Sequence, residues 1–223
     1  SANAGKNILF EAQLGALRDI HYGIYPYTTS SSTLAGHAPI GGGLFGKRVE
    51  TVMGVMKAYS TCVGAGPFVS EIFGEEADTM RTSANEFGAT TGRPRRIGHF
   101  DAVASRYGVL TQGATEIALT KLDCLSGQTS LKVCTHYEID GQKTTEFPLG
   151  ADLEKAQPVY ETLPGWQEDI TNCRQFSDLP LAAQNYVLYL EELVGCPVKT
   201  ISVGPERDCL MTRTESTKYQ GAA

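Results

Sequence analysis

Short apolar runs with the look of strands alternate along this chain with longer stretches that repeat at helical spacing, and that alternation constrains its fold more than any other feature. Phe100, Val103, Ala104, Tyr107 and Leu110 form the stripe of a helix whose N-cap falls at His99 or Asp101. A further helix is marked over Pro180–Val194. There Asp178 is placed to cap, Pro180 sits near the first turn, Gly195 follows the end, and Ala183, Tyr186, Leu190 and Val194 share a face. Glu75–Ser83 reads as a polar helix, and Val49–Val63 as a helix running into a strand with Gly54 at the break. Ile8–Phe10, Glu116–Leu122 and Pro197–Val203 read as buried strands, while Leu131–Ile139 and Lys143–Phe147 flank the hairpin signal Asp140-Gly141. The expected class is therefore α/β, a mostly parallel central sheet with flanking helices and a β-hairpin. The tail after Met211 reads as polar and loose.

A chain of 223 residues buries roughly 70% of the surface its unfolded form exposes, so its cysteines are not needed as staples. The six cysteines contain no C-x-x-C pair and the four histidines no H-x-x-x-H, which predicts reduced thiols and no metal site within these residues. Lys and Arg number 19 against 25 Asp and Glu, a net charge of −6, which argues against general affinity for nucleic acid or an anionic membrane surface. No apolar run approaches the roughly 20 residues of a spanning helix, and the start has no secretory pattern, so a cytoplasmic protein is expected. An anionic ligand of such an acidic chain must be held by a local cluster of cations.

Three clusters are chemically pointed. In Asn85–Arg96, glycines bracket two threonines, and Arg93, Arg95 and Arg96 crowd four positions. Glycine lets backbone amides approach an anion, hydroxyls donate to oxygens, and guanidinium grips carboxylate or phosphate with a planar fork. A solvated surface turn is the alternative reading of the same residues. In Thr120-Lys121-Leu122-Asp123, at a strand end, the carboxylate can accept from two donors of guanine while the Lys stem lies over the base; the pattern resembles the guanine-reading N-K-x-D of GTP-binding proteins. Ile201–Pro205 lies at the mouth of another expected strand, where ligands of α/β sheets gather. Tyr22–Gly46, with its hydroxyl run Thr28–Thr33 and Gly41–Gly43, is too long and breaker-rich for a routine connector.

Taken in order, these clusters resemble the C-terminal half of adenylosuccinate synthetase. Further blocks resemble it too: Phe10-Glu11 with Gly15-Ala16-Leu17 and Asp19-Ile20, Gly23–Pro26, Thr29–Ser31, Lys57–Thr61, Val63–Phe68, Pro158–Trp166 and Ser202–Pro205. The resemblance runs from about Ile8 to Asp208. It implies GTP-dependent ligation of aspartate to IMP, giving adenylosuccinate, GDP and phosphate, with GTP as co-substrate and Mg2+ as cofactor.

By the same resemblance, Ala89, Thr90, Thr91, Gly92, Arg93 and Arg95 belong to an aspartate-binding loop, with Arg93 also near IMP and Arg95 near the GTP phosphates. Thr29 and Val63 match IMP-binding positions, and Gln13 is the IMP-facing glutamine, one place early in Phe10-Glu11-Ala12-Gln13-Leu14-Gly15. Lys121, Leu122, Asp123, Ser202, Val203 and Gly204 match the guanine pocket. The family's phosphate loop G-D-E-G-K-G, with its aspartate base and magnesium contacts, and its later histidine acid have no counterpart in the 223 residues, so the chain alone is expected to be inactive and to hold none of the catalytic residues. The partners implied are the small molecules IMP, GTP and L-aspartate and a homodimeric full-length enzyme. A non-catalytic GTP- and IMP-binding module derived from the enzyme is the rival reading. Tyr22–Gly46 and Gly88–Arg96 are expected to be the least ordered segments, since ligands help to fix them in the family.

Overall fold

A computed structural model describes residues 5–213 and 219. Its centre is a four-stranded sheet of β1 (Met53–Lys57), β5 (Glu116–Thr120), β9 (Val198–Ser202) and β10 (Leu210–Thr212), in that order. The first three run parallel, and β10 returns antiparallel to β9. A two-stranded ribbon pairs β2 (Ser60–Cys62) with β3 (Arg96–Gly98). The third sheet is built on β6 (Ser130–Ile139), which pairs parallel with β4 (Phe100–Asp101) and antiparallel with β7 (Gln142–Thr144) and β8 (Gln157–Pro164). The helices are α1 (Ala38–Gly41), α2 (Gly74–Ser83), α3 (Ala102–Gln112), α4 (Ala151–Lys155) and α5 (Leu181–Val194). This is the α/β architecture expected, with the parallel strands gathered in one sheet. No helix among the described residues is long and apolar enough to cross a membrane.

The main core lies between the central sheet and the helices, with Ile117, Leu119, Ile201, Tyr186 and Leu190 almost wholly buried. A smaller core under β6 joins Ile24, Val103, Cys134, Tyr137, Leu153 and Ala156. Helix α5 buries the expected Ala183, Tyr186, Leu190 and Val194, and also Val187, Leu188 and Tyr189, so its middle is enclosed on nearly every side. Gly195 closes it in the left-handed conformation at φ 69°. Asp178 is not its cap: Pro180 occupies that place, and the Asp178 carboxylate instead accepts from the amides of Arg174 and Gln175 in the preceding turn. Asp101 does cap α3, accepting from the Ala104 amide at 3.0 Å. On that helix Val109 is buried and Leu110, expected on the apolar stripe, is exposed.

Two other expectations fail. Val49–Val63 forms no helix; it is the two strands β1 and β2, because each finds a partner distant in sequence, β5 and β3. Gly54 lies inside β1 rather than at a break, where a Cβ would stand 3.0 Å from Ile117. Ile8–Phe10 pairs with no strand among the described residues, and Leu9 is 93% exposed. The hairpin at Asp140-Gly141 forms as expected, both residues at positive φ. The chain past Met211 is not loose at once: Arg213 is buried, its guanidinium on the Glu191 carboxylate and the Val198 carbonyl. Beyond it only Tyr219, ring to ring with Tyr189 at 5.0 Å, lies within the described residues, and the rest of the expected tail lies outside them. All six cysteines are free thiols.

Candidate functional site

In a parallel sheet the loops leaving the carboxyl ends of the strands form a common rim where ligands gather. Lys57 at the end of β1 pairs with Thr120 at the end of β5, and Leu119 of β5 pairs with Ile201 of β9. The segments Lys121–Asp123 and Ser202–Gly204 therefore leave the sheet side by side, and the Leu122 amide donates to the Ser202 carbonyl at 3.3 Å. Lys121 takes φ 61°, a left-handed turn that swings the chain sharply off β5, while Leu122 is wholly buried as its anchor. The partly exposed Asp123 then opens a short turn, with the Cys124 thiol 3.7 Å from its carboxylate. Burial, with Asp123 beside it, pushes that thiol up to about 11, so it stays protonated near neutrality. Ser202 Oγ donates to the Gly204 carbonyl at 2.8 Å, and Val203 is buried with its amide on the Cys209 carbonyl. A Cβ at Gly204 would stand 2.9 Å from the Cys209 sulfur, so only glycine keeps this turn where it is.

The arginine cluster folds as a closed turn between α2 and β3. Phe87 bridges Pro94, the Gly88 amide donates to the Arg93 carbonyl at 2.9 Å, and the Gly92 amide to the Gly88 carbonyl at 2.8 Å. Ala89, Thr90, Thr91, Gly92 and Arg93 are thereby presented to solvent, with Thr91 Oγ1 accepting from the Arg93 amide at 3.4 Å. The three arginines part ways. Arg93 is exposed and Arg95 turns inward onto Glu86, whereas Arg96 lies on the Glu71 carboxylate and on the carbonyls of Gly64 and Gly66. Arg96 thus fixes the loop after β2, while Arg93 is left exposed and Arg95 joins the turn to Glu86.

Glu86 was assigned no part by the sequence, and it is what joins the two regions. Its side chain is fully buried; Oε2 accepts from Arg95 Nη1 at 2.7 Å, while Oε1 accepts from Lys57 Nζ at 2.8 Å and Tyr59 Oη at 2.6 Å, with Lys121 Nζ at 3.8 Å. Lys121 is steadied further by its bond to the Ala84 carbonyl at 2.7 Å. Burial by itself would raise the Glu86 carboxyl, but hydrogen bonds from Lys57, Tyr59 and Arg95 outweigh it and hold the group down at about 2. Lys57 is lowered, chiefly by burial, because its attraction to Glu86 is offset by the neighbouring Arg95 and Lys121. The two directions agree once the charges are counted: one carboxylate stands among three cations, so the anion is over-supported and the cations are crowded. Such a cluster has room for an additional anion. The sequence signals were present, Lys57-Ala58-Tyr59 in one block and Glu86 in another, but nothing local joins them.

The third region sits at the same end of the β2–β3 ribbon. The Arg18 guanidinium gathers the carbonyls of Tyr27, Val63 and Ala65 and the Cys62 sulfur, while the Arg18 carbonyl accepts from the Thr29 amide at 2.8 Å. Thr29 and Val63, 34 positions apart, are in this way tethered through one residue that sequence reading passed over. Asp19 organises the start of the long loop, its buried carboxylate accepting from the amides of His21, Tyr22 and Thr33 and from Ser32 Oγ. Against the opposing effect of burial, these bonds hold it at about 2. The stretch expected to be least ordered is therefore pinned through its first half. Thr33 Oγ1 ties the Gly15 carbonyl to it at 2.9 Å. Gln13 lies just before, in the exposed segment, beside Leu14 at φ 72°.

Of two open clefts on the surface, one of about 440 Å3 lies apart from these segments beside Trp166 and Pro180, and one of about 390 Å3 borders the third region at Asp19, His21 and Ser32. The candidate site is a rim rather than a pit, and its chemistry rather than its volume singles it out. Arg18, Lys57, Arg93, Arg95, Arg96 and Lys121, six of the 19 Lys and Arg residues, gather in these connected segments of an acidic chain.

The family model for adenylosuccinate synthetase matches residues 1–211. An adenylosuccinate synthetase of Mycobacterium marinum is 50% identical over 213 residues, 95% of this chain and 49% of its own length. Adenylosuccinate synthetase 2 of Pseudoalteromonas translucida is 54% identical over 207 residues, 93% of this chain and 48% of its own. The chain spans about half the length of the curated relatives it matches. Among solved structures, a fully ligated adenylosuccinate synthetase from Plasmodium falciparum superposes with a TM-score of 0.91 at 36% identity, covering 96% of this chain and 51% of that one. With motifs, fold and sequence identity agreeing over nearly its whole length, the chain belongs to the adenylosuccinate synthetase family.

Proposed function

We propose that this chain is the nucleotide- and aspartate-recognising part of an enzyme that ligates L-aspartate to IMP at the expense of GTP, giving adenylosuccinate, GDP and phosphate, in the cytoplasm and as a homodimer. One observation carries the reading: the Lys121–Asp123 and Ser202–Gly204 segments, far apart in sequence, leave adjacent parallel strands together. Asp123 would accept from the two donors on one edge of guanine, an arrangement adenine cannot satisfy, with the Lys121 stem along the base and Ser202, Val203 and Gly204 closing the other side. Arg95 would turn toward the phosphates. Arg93, with Ala89, Thr90, Thr91 and Gly92 of the exposed turn, would receive the two carboxylates of aspartate, Arg93 reaching IMP as well. Thr29 would contact the IMP phosphate, Val63 its ribose and Gln13 its base.

In this reading these side chains bind and orient, and none of them serves as the acid or the base. Magnesium, which the family implies, does not fit them either, since Glu86 is already held by three cations and the described residues contain no group of three His, Cys, Asp or Glu side chains able to hold an ion. In the full-length enzyme the ion would neutralise charge on the transferring phosphoryl group.

The test is calorimetric titration of the 223-residue chain with GTP and with ATP. GTP is expected to bind and ATP to bind at least tenfold more weakly, the difference a buried donor–acceptor mismatch produces. Asp123→Asn should weaken GTP by a similar factor and partly admit xanthosine triphosphate, because one acceptor has become a donor. Equal affinity for both purines, or GTP binding untouched by Asp123→Asn, would overturn the assignment.

A further inference from the structure

We propose that Glu86 is a positioning residue that makes the arginine turn and the base-reading rim respond as one unit. The inference rests on the functional reading above and deepens it, since Glu86 itself would touch no ligand. Its two oxygens are divided between the two regions: Oε2 takes Arg95 from the turn, and Oε1 takes Lys57 and Tyr59 from the β1 side, with Lys121 of the rim 3.8 Å away. The carboxylate is fully buried, whereas the side chains of Lys57, Arg95 and Lys121 remain 28%, 31% and 35% exposed, so the cations reach solvent on the side where an anion arrives. Three positive charges share one negative charge there, and whatever draws one cation away strengthens the hold of Glu86 on the other two. An anion that pulls Arg95 outward leaves the carboxylate to Lys57 and Lys121 and so stiffens the segment that carries Asp123. Conversely, a base that fixes Lys121 biases Arg95. Binding at the turn and binding at the rim become linked through a group that meets neither ligand.

Hydrogen exchange of the chain free of ligand tests this directly. Arg95→Leu is expected to lower exchange of the Lys121–Cys124 amides about fivefold, and by less than twofold when Glu86→Gln is already present, a coupling of the size measured between residues sharing one network. The Tyr186–Leu190 amides of α5 should not change, which separates loss of positioning from loss of fold. Titration with GTP supplies the second readout: Glu86→Gln should weaken binding about tenfold, and Glu86→Asp should restore part of it. Should Glu86→Gln fail to fold, Lys121→Met decides the matter in an intact core: it should lower exchange across Gly88–Arg93, and no change there, or a rise, would overturn the proposal. So would Lys121–Cys124 amides indifferent to Arg95→Leu. A folded chain that shows the exchange coupling but binds no GTP would refute the functional reading and leave the coupling standing; GTP binding without the coupling would do the reverse.

Discussion

Glu86 and Asp19 are buried carboxylates that the fold keeps ionised by surrounding them with donors, and each holds together segments that would otherwise separate. Both are held at about 2, below their ordinary values, so their contribution to stability is fully present above the pH at which an unfolded carboxylate titrates and is lost as the pH falls through about 2. Asp101 runs the other way: burial raises it to about 6 despite its bonds from the Ala104 amide and the Tyr137 hydroxyl, so its ionisation costs stability as pH rises through that value. The urea midpoint of the chain is therefore expected to fall between about pH 5 and pH 2, and Glu86→Gln and Asp19→Asn should each be less stable at neutral pH but lose less over that range. Parallel declines in variant and parent would show that these two groups do not govern the acid response.

At the scale of elements, the clearest dependence is between the loop after β2 and the stretch around Tyr27. Gly66 has φ 109°, and a Cβ there would stand 2.7 Å from the Tyr27 ring near its root, where the side chain has little freedom to swing away. Gly66→Ala should therefore lower Tm by about 5 °C, corresponding to roughly 2 kcal/mol of steric and backbone cost, and weaken IMP binding by loosening Thr29 from Val63. Gly36→Ala, which meets nothing within 4 Å at an ordinary φ, is the control and should shift Tm by less than about 1 °C. Elements built from neighbouring residues were legible in advance: the Asp140-Gly141 turn, the Asp101 cap of α3 and the Gly195 stop of α5 each depend on chemistry within a few positions. Val49–Val63 was not, because the choice between helix and strand there is made by β5 and β3, which local propensity does not see. The burial of α5 on almost every side was passed over although it was legible, since Tyr186–Leu190 in its middle offers no charged or amide side chain to mark a solvent face.

For the molecule as a whole, the proposed recognition segments occupy one rim of the central sheet and one end of the β2–β3 ribbon, joined by Glu86. In the proposed reading the carboxylates gathered there are already committed, Glu86 to the surrounding cations and Asp123 to the base. The 223 residues assayed alone should accordingly form adenylosuccinate at no more than the background rate, measured by the absorbance change of the product, while still binding GTP. Turnover above background would show that proton transfer and phosphoryl transfer are handled by residues within this chain.

The sequence by itself determined the class of the fold, the stable helices, the hairpin, and the glycine, threonine, arginine and aspartate motifs by which the family is known, because each is written in residues close enough to constrain one another directly. Tertiary structure decided what those motifs have to do with each other. The Lys57–Glu86 pair closes over 29 positions and Tyr59–Glu86 over 27. Contacts of that span form only after the intervening strands and helix have packed, since until then the entropy of closing the loop opposes them and nothing local repays it. For the same reason Glu86 passes in the sequence as one charge among 25 acidic residues, and in the folded chain holds the site together.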